Sequence, residues 1–190
     1  MVVFIAINLK NILPQYNYLW SKITIKGNSI TIKGKEIRGV NVDTAPFPGF
    51  PTDLQAPFTA LMTIANGKSK ITETIFENRM NHINLLNKMG ASIKLNKNVA
   101  HIKGVKTIKG MDLVGSDLRS SAALIIAGII AKGNSRIYGL EHLDRGYENF
   151  ESKLKILGIK ITREFNKRSF TEKEYKIASD PDDIPKHRAA

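Results

Sequence analysis

The sequence predicts an α/β fold built from repeated units in the order helix, strand, helix, hairpin. Three observations carry that prediction. The same succession of apolar patterns runs twice through the middle of the chain, with landmarks at nearly constant offsets: 64 from Asp53 to Asp117, 66 from Gly67 to Gly133, 66 from Arg79 to Arg145 and 68 from Gly90 to Gly158. Each predicted helix closes on a glycine and opens near an Asp or Asn, the ordinary stop and start signals. Apolar residues at helical spacing, Ile83, Leu85, Leu86 and Met89 in one unit and Phe150, Leu154 and Leu157 in the other, mark faces that belong in a core.

Taken in order, Ile23 to Gly34 reads as a hairpin turning at Gly27-Asn28. It closes a partial first repeat spanning residues 1–39, a helix remnant followed by that hairpin. Such a unit buries its apolar face only against neighbours, so a chain beginning inside a repeat reads as truncated. Residues 40–165 read as two complete repeats. In the first, Asp53 opens a helix to Asn66, Lys70 to Phe76 is a strand, Glu77-Asn78-Arg79 opens a second helix to Met89, and Ile93 to Leu95 with Val99 to Ile102 form a hairpin. In the second, Asp117 opens a helix to Lys132, Ser135 to Tyr138 is a strand, Asp144-Arg145 opens a helix to Leu157, and Ile159 to Arg163 is a strand. From 166 to 190, charges, Pro181 and Pro185 dominate and a disordered tail is expected.

The 190 residues are 42% hydrophobic, enough for a proper core. The longest apolar runs, such as Ala122 to Ala131, fall well short of the roughly 20 residues that span a bilayer. The first residues lack the basic start and cleavage site of a signal peptide. With no cysteine there is no disulfide framework, thiolate metal site or Cys nucleophile, and a cytoplasmic location fits. The 29 Lys+Arg against 17 Asp+Glu give a net charge of +12. The lysines, among them Lys26, Lys33, Lys94, Lys97, Lys103 and Lys109, look scattered, which favours solvated surface charge over a nucleic-acid stripe.

One stretch stands apart: Thr44-Ala45-Pro46-Phe47-Pro48-Gly49-Phe50-Pro51-Thr52-Asp53. Three prolines leave few conformations to lose, so this loop can hold Asp53 in one orientation. Two readings stay open, a carboxylate presented for chemistry and a plain helix N-cap. Asp117 heads the equivalent helix, Arg79 and Arg145 head the second helices, and Arg119 lies two residues past Asp117. Arginine at a helix start combines free N–H groups with a planar fork that binds two oxygens, and three such arginines suggest a doubly anionic ligand. Ion pairs with Asp144 and Glu77 are the bland alternative.

The runs Pro48-Gly49-Phe50-Pro51-Thr52-Asp53-Leu54-Gln55, Thr72-Glu73-Thr74-Ile75-Phe76-Glu77-Asn78-Arg79, Ser116-Asp117-Leu118-Arg119-Ser120-Ser121-Ala122 and Asp144-Arg145-Gly146-Tyr147-Glu148 resemble the UDP-N-acetylglucosamine 1-carboxyvinyltransferases, a family of enolpyruvyl transferases. The resemblance covers about Val40 to Glu164. It implies an inside-out α/β barrel-type domain of βαβαββ repeats with helix N-termini facing the cleft. It implies transfer of enolpyruvyl from phosphoenolpyruvate to the 3-hydroxyl of UDP-N-acetylglucosamine, the first committed step of peptidoglycan synthesis, with no cofactor and no metal.

By the same resemblance Asp53 is the base that takes the hydroxyl proton, and Asp117, Arg119 and Arg145 complete the catalytic set. Arg79, Arg119 and Arg145 hold phosphoenolpyruvate; Thr52, Asp53, Ile75 and Phe76 lie along the nucleotide sugar. The family's other domain, with a Lys-Asn pair, a further arginine and the general acid, is absent. The chain alone is therefore expected to be inactive or weakly active, and a separately encoded N-terminal half stands open as a partner. A shikimate-3-phosphate enolpyruvyl transferase fragment and an RNA-binding or RNA-end-processing repeat protein are the alternatives.

Overall fold

A computed structural model describes residues 23–26, 29–32, 36–165 and 173–179. The expected helix remnant before residue 23 and the hairpin turn at Gly27-Asn28 lie outside the described residues. The hairpin strands are in place: β1 (Ile23–Lys26) and β2 (Ser29–Ile32) pair antiparallel, Ile23 opposite Ile32.

Two units of one topology follow. The first holds β3 (Asn41–Asp43), a 3₁₀ turn (Thr52–Leu54), α1 (Gln55–Met62), β4 (Lys68–Thr72), α2 (His82–Lys88), β5 (Ser92–Asn96) and β6 (Val99–Lys103). The second holds β7 (Asp112–Val114), α3 (Leu118–Ile130), β8 (Gly133–Tyr138), α4 (Leu140–Asp144), α5 (Phe150–Ile156), β9 (Ile161–Phe165) and β10 (Lys173–Ser179). Each forms a four-stranded sheet, in the orders β3-β4-β6-β5 and β7-β8-β10-β9. In both, the first two strands are parallel and joined through a helix, and the remaining pairings are antiparallel.

The helices after the first strands meet in the interior, α1 packing along α3. Every residue of α1 is buried, and α3 is buried from Ser120 to Gly128. These two helices are apolar nearly all round, which is how a helix reads when it sits inside with sheets outside it. Each sheet turns one face inward: β4 buries Ser69 and Ile71, β6 buries Ala100 and Ile102, β8 buries Ser135 and Ile137.

The structure differs from the sequence reading at several boundaries. Gly90 and Gly158 cap α2 and α5 as expected. Their amides reach back to the Asn87 and Lys155 carbonyls, and the amides of Ala91 and Ile159 reach those of Leu86 and Leu154, the paired Schellman closure that needs the positive φ of 97° and 83°. Gly67 and Gly133 do not stop helices; α1 ends at Met62 and α3 at Ile130, and these glycines lead into strands instead. Asp144-Arg145 does not open a helix: Asp144 ends α4 and Arg145 is its C-cap. Of the α5 stripe only Leu154 is fully buried, whereas Leu157 remains 43% exposed.

The expected tail also contains structure. Lys173–Ser179 is β10, bonded on both sides, with Tyr175 opposite Ile137 and Arg163. Charge counts hide its alternation, in which Tyr175 and Ile177 point inward and are fully buried. The Tyr175 hydroxyl donates to Glu151 Oε2 at 2.5 Å, tying the strand to α5. The lysines are likewise less scattered than the sequence suggests. Lys68, Lys70, Lys94 and Lys103 fall with His101 on one face of the first sheet, where Lys68 opposes Lys103 and His101 sits between Lys70 and Lys94.

Candidate active site

The proline loop leaves β3 at Asp43 and returns to the 3₁₀ turn at Thr52. Its neck is closed by backbone bonds, Ala45 N–H to Phe50 O at 2.9 Å and Gly49 N–H to Pro46 O at 2.7 Å. The turn has Pro51 as its N-cap and makes no side-chain cap bond; Leu54 is the N-cap of α1. The cap reading of Asp53 is therefore set aside. Its carboxylate, 68% exposed, meets two arginines instead. Arg119 Nε donates to Asp53 Oδ1 at 2.6 Å, with Nη2 on the same oxygen, and Arg79 Nη1 lies 3.4 Å from it.

Arg119 comes from the second unit. It is the second residue of α3, whose N-cap is Asp117, and Asp117 Oδ1 accepts from the Arg119 and Ser120 amides at 2.9 and 3.0 Å. Arg79 comes from the first unit, but not from a helix start: it lies in the loop three residues before α2. Its guanidinium stacks 3.7 Å above the Phe76 ring, and Nη1 donates to Thr52 Oγ1 at 2.9 Å. Thr52, Asp53, Phe76, Arg79 and Arg119 are thus one contiguous group. Ile75 and Phe76 are 38% and 48% exposed beside it, open to a ligand. Arg145 is not brought into this group; it is exposed, and its backbone N–H donates to the Leu143 carbonyl as the C-cap of α4. The helix-start argument therefore applies to Arg119 alone among the three arginines.

Three residues near the site escaped the sequence reading. Glu73, just past β4, is 2% exposed. Its Oε1 accepts from the Thr44 hydroxyl at 2.9 Å and the Ile75 and Phe76 amides at 2.9 and 3.2 Å, and its Oε2 accepts from the Thr52 hydroxyl at 2.7 Å. Burial alone would raise its pKa; the hydrogen bonds, led by Thr52, outweigh that and hold it below the usual carboxylate value. A single Glu after a strand carries no pattern that distinguishes it from a solvated one. His82, the first residue of α2, is buried and its Nε2 has no hydrogen-bond partner. Burial pushes its pKa down to about 4, against the opposing pull of Asp117 and of a hydrogen bond to the Arg79 backbone. Tyr147, half-buried after α4, has its pKa raised first by burial and then by the charge of Asp53, while Arg119 opposes. The loop that carries Arg145 therefore borders the Asp53 and Arg119 pair through Tyr147. Among the described residues no group of His, Asp and Glu is arranged to hold a metal ion, and no helix is long and apolar enough to cross a membrane.

Solved structures share this fold. The enolpyruvyl transferase NikO from Streptomyces tendae matches with a TM-score of 0.70 at 23% identity, over 90% of this chain and 37% of that one. EPSP synthase from Acinetobacter baumannii matches with a TM-score of 0.63 at 14% identity, over 90% of this chain and 39% of that one. The fold is that of the enolpyruvyl transferases. Residues 7–154 match the EPSP synthase (3-phosphoshikimate 1-carboxyvinyltransferase) family, and the chain belongs to it. Curated relatives include the UDP-N-acetylglucosamine 1-carboxyvinyltransferases of Prochlorococcus marinus strain MIT 9312, 81% identical over 170 residues, and strain AS9601, 79% identical over the same length. Each match covers 90% of this chain and 37% of the relative, so the chain spans little more than a third of their length.

Proposed function

We propose that this chain forms one wall of a transferase that moves enolpyruvyl from phosphoenolpyruvate to the 3-hydroxyl of UDP-N-acetylglucosamine, the nucleotide-sugar step that commits material to peptidoglycan in the cytoplasm. The observation that carries the reading is Asp53 held between Arg79 of its own unit and Arg119 of the next. The 81% identity to a UDP-N-acetylglucosamine 1-carboxyvinyltransferase supports it over the shikimate and RNA alternatives.

Asp53 is the general base. The hydroxyl oxygen bonds to C2 of phosphoenolpyruvate as its proton passes to the carboxylate, while C3 takes a proton from the facing domain. Loss of a C3 proton with departure of phosphate then restores the vinyl ether. Arg79, Arg119 and Arg145 balance the carboxylate and phosphate charges, a task that preorganised cations perform without reorganisation cost. Asp117 fixes the start of α3 and with it the Arg119 backbone. Thr52, Ile75 and Phe76 lie along the sugar nucleotide. Residues 40–165 supply the catalytic repeats, and the facing domain comes from the same or a separate polypeptide.

The test completes this chain with the rest of the MIT 9312 relative and measures phosphate release. Turnover should require both substrates, and Asp53→Asn should lower kcat by about 10²- to 10⁴-fold, the range for a positioned base. Calorimetric titration of the completed wild type should show heat with UDP-N-acetylglucosamine. No heat and no phosphate release would rule the reading out.

A further inference from the structure

We infer that Glu73 is a positioning residue of this site, one carboxylate that sets both the proline loop and Arg79. The inference rests on the reaction proposed above. The hydroxyls of Thr44 and Thr52 stand at the two ends of the proline loop, and both donate to Glu73. The loop is therefore stapled across its base, and its stiffness between the prolines is converted into a defined position for Thr52 and Asp53.

Arg79 depends on the same carboxylate by two routes. Its Nη1 donates to Thr52 Oγ1, whose own proton goes to Glu73 Oε2, so the three groups form a chain of hydrogen bonds with one polarity. The ring on which the guanidinium rests belongs to Phe76, whose amide is held by Glu73 Oε1. The third anchor of Arg79, Asp53 Oδ1, follows Thr52 in the chain. A carboxylate 2% exposed and matched by hydroxyl and amide donors is a costly way to hold a loop, since an amide side chain fills the same space without burying charge. Its charge is useful because it fixes the direction of the Thr52 proton, leaving the Thr52 lone pairs for Arg79.

Two substitutions test this. Glu73→Gln preserves shape and one carbonyl oxygen but turns the acceptor facing Thr52 into a donor; Thr52→Val removes the hydroxyl that relays between Glu73 and Arg79. In the chain alone, hydrogen exchange at the Ile75 and Phe76 amides should quicken about fivefold in Glu73→Gln, reflecting the weaker neutral acceptor, with α3 amides unchanged. Unaltered exchange at those two amides would overturn the clamp. In the completed enzyme, Glu73→Gln should raise the KM for phosphoenolpyruvate about tenfold with a smaller change in KM for the sugar nucleotide. The Glu73→Gln/Thr52→Val double variant should be no worse than the poorer single, because both cut the same chain. Multiplying effects, or a lowered Tm with unchanged KM, would reduce Glu73 to a structural residue. Absence of any turnover in the completed wild type would instead count against the proposed reaction, and the exchange experiment would still decide the clamp.

Discussion

The Asp117 carboxylate takes two amides that α3 cannot satisfy internally, a bond set that stabilises a helix start by about 1 kcal/mol. Asp53, 64 positions earlier at the matching point of the repeat, makes no such bond, because Pro51 and the 3₁₀ turn carry it past the capping position. The difference is measurable. Asp117→Ala should lower Tm by roughly 2 to 4 °C, the shift expected for about 1 kcal/mol in a chain of this size. Asp53→Ala, which breaks exposed pairs worth little in water, should shift it less; scanning calorimetry on the two variants separates them. The sequence showed both aspartates and their spacing. It could not assign the roles, since the deciding contact joins Asp53 to Arg119, 66 residues away. Glu73 was less visible still, because burial and partners are properties of the folded loop.

Among the helices, the apolar ones were the easiest to foresee. The long α3 declares itself by an N-cap and a continuous apolar run, and Gly90 and Gly158 announce their Schellman caps. The second helices of each unit were overextended: α2 begins at His82 and not at Arg79, and the region from Asp144 splits into α4 and α5. Short helices held by packing carry few local signals. The start of α2 has its own consequence. His82 is held neutral with its pKa near 4 against 6.5 when unfolded, so the unfolded chain binds the extra proton between those values. Stability is complete above about pH 6.5 and should fall as pH drops toward 4, by about 3 kcal/mol. Urea titrations at pH 7 and pH 4.5 should show the loss, and His82→Gln should flatten it. On the first sheet, the like charges of Lys68 and Lys103 face each other across strands. That pairing is unfavourable, so Lys68→Glu should raise the unfolding free energy read from urea titration at low salt by a few tenths of a kcal/mol and lose the gain in high salt.

At the scale of the whole molecule, the two units share one strand order, and the second completes it only with β10. That strand fills the same place as β6, between the parallel pair and the edge strand. Ending the chain after Phe165 would remove Tyr175 and Ile177 from the core and leave β8 and β9 unbridged. The shortened chain should unfold several degrees earlier, or fail to accumulate, since loss of one large core side chain already costs about 2 to 5 kcal/mol. Repeat, hairpin and glycine spacing made the architecture legible from the sequence; β10 was hidden because lysine and glutamate outnumber its two inward residues. The pairing of Asp53 with Arg119 and Arg79 bears finally on kinetics. The two arginines face a carboxylate of the protein's own, so part of their charge is offset at close range and less of it projects into solution. Capture of an anionic substrate should then accelerate at low salt mainly through the net charge of +12 carried by the rest of the chain, and Asp53→Asn, which releases both arginines, should steepen that dependence in stopped-flow binding.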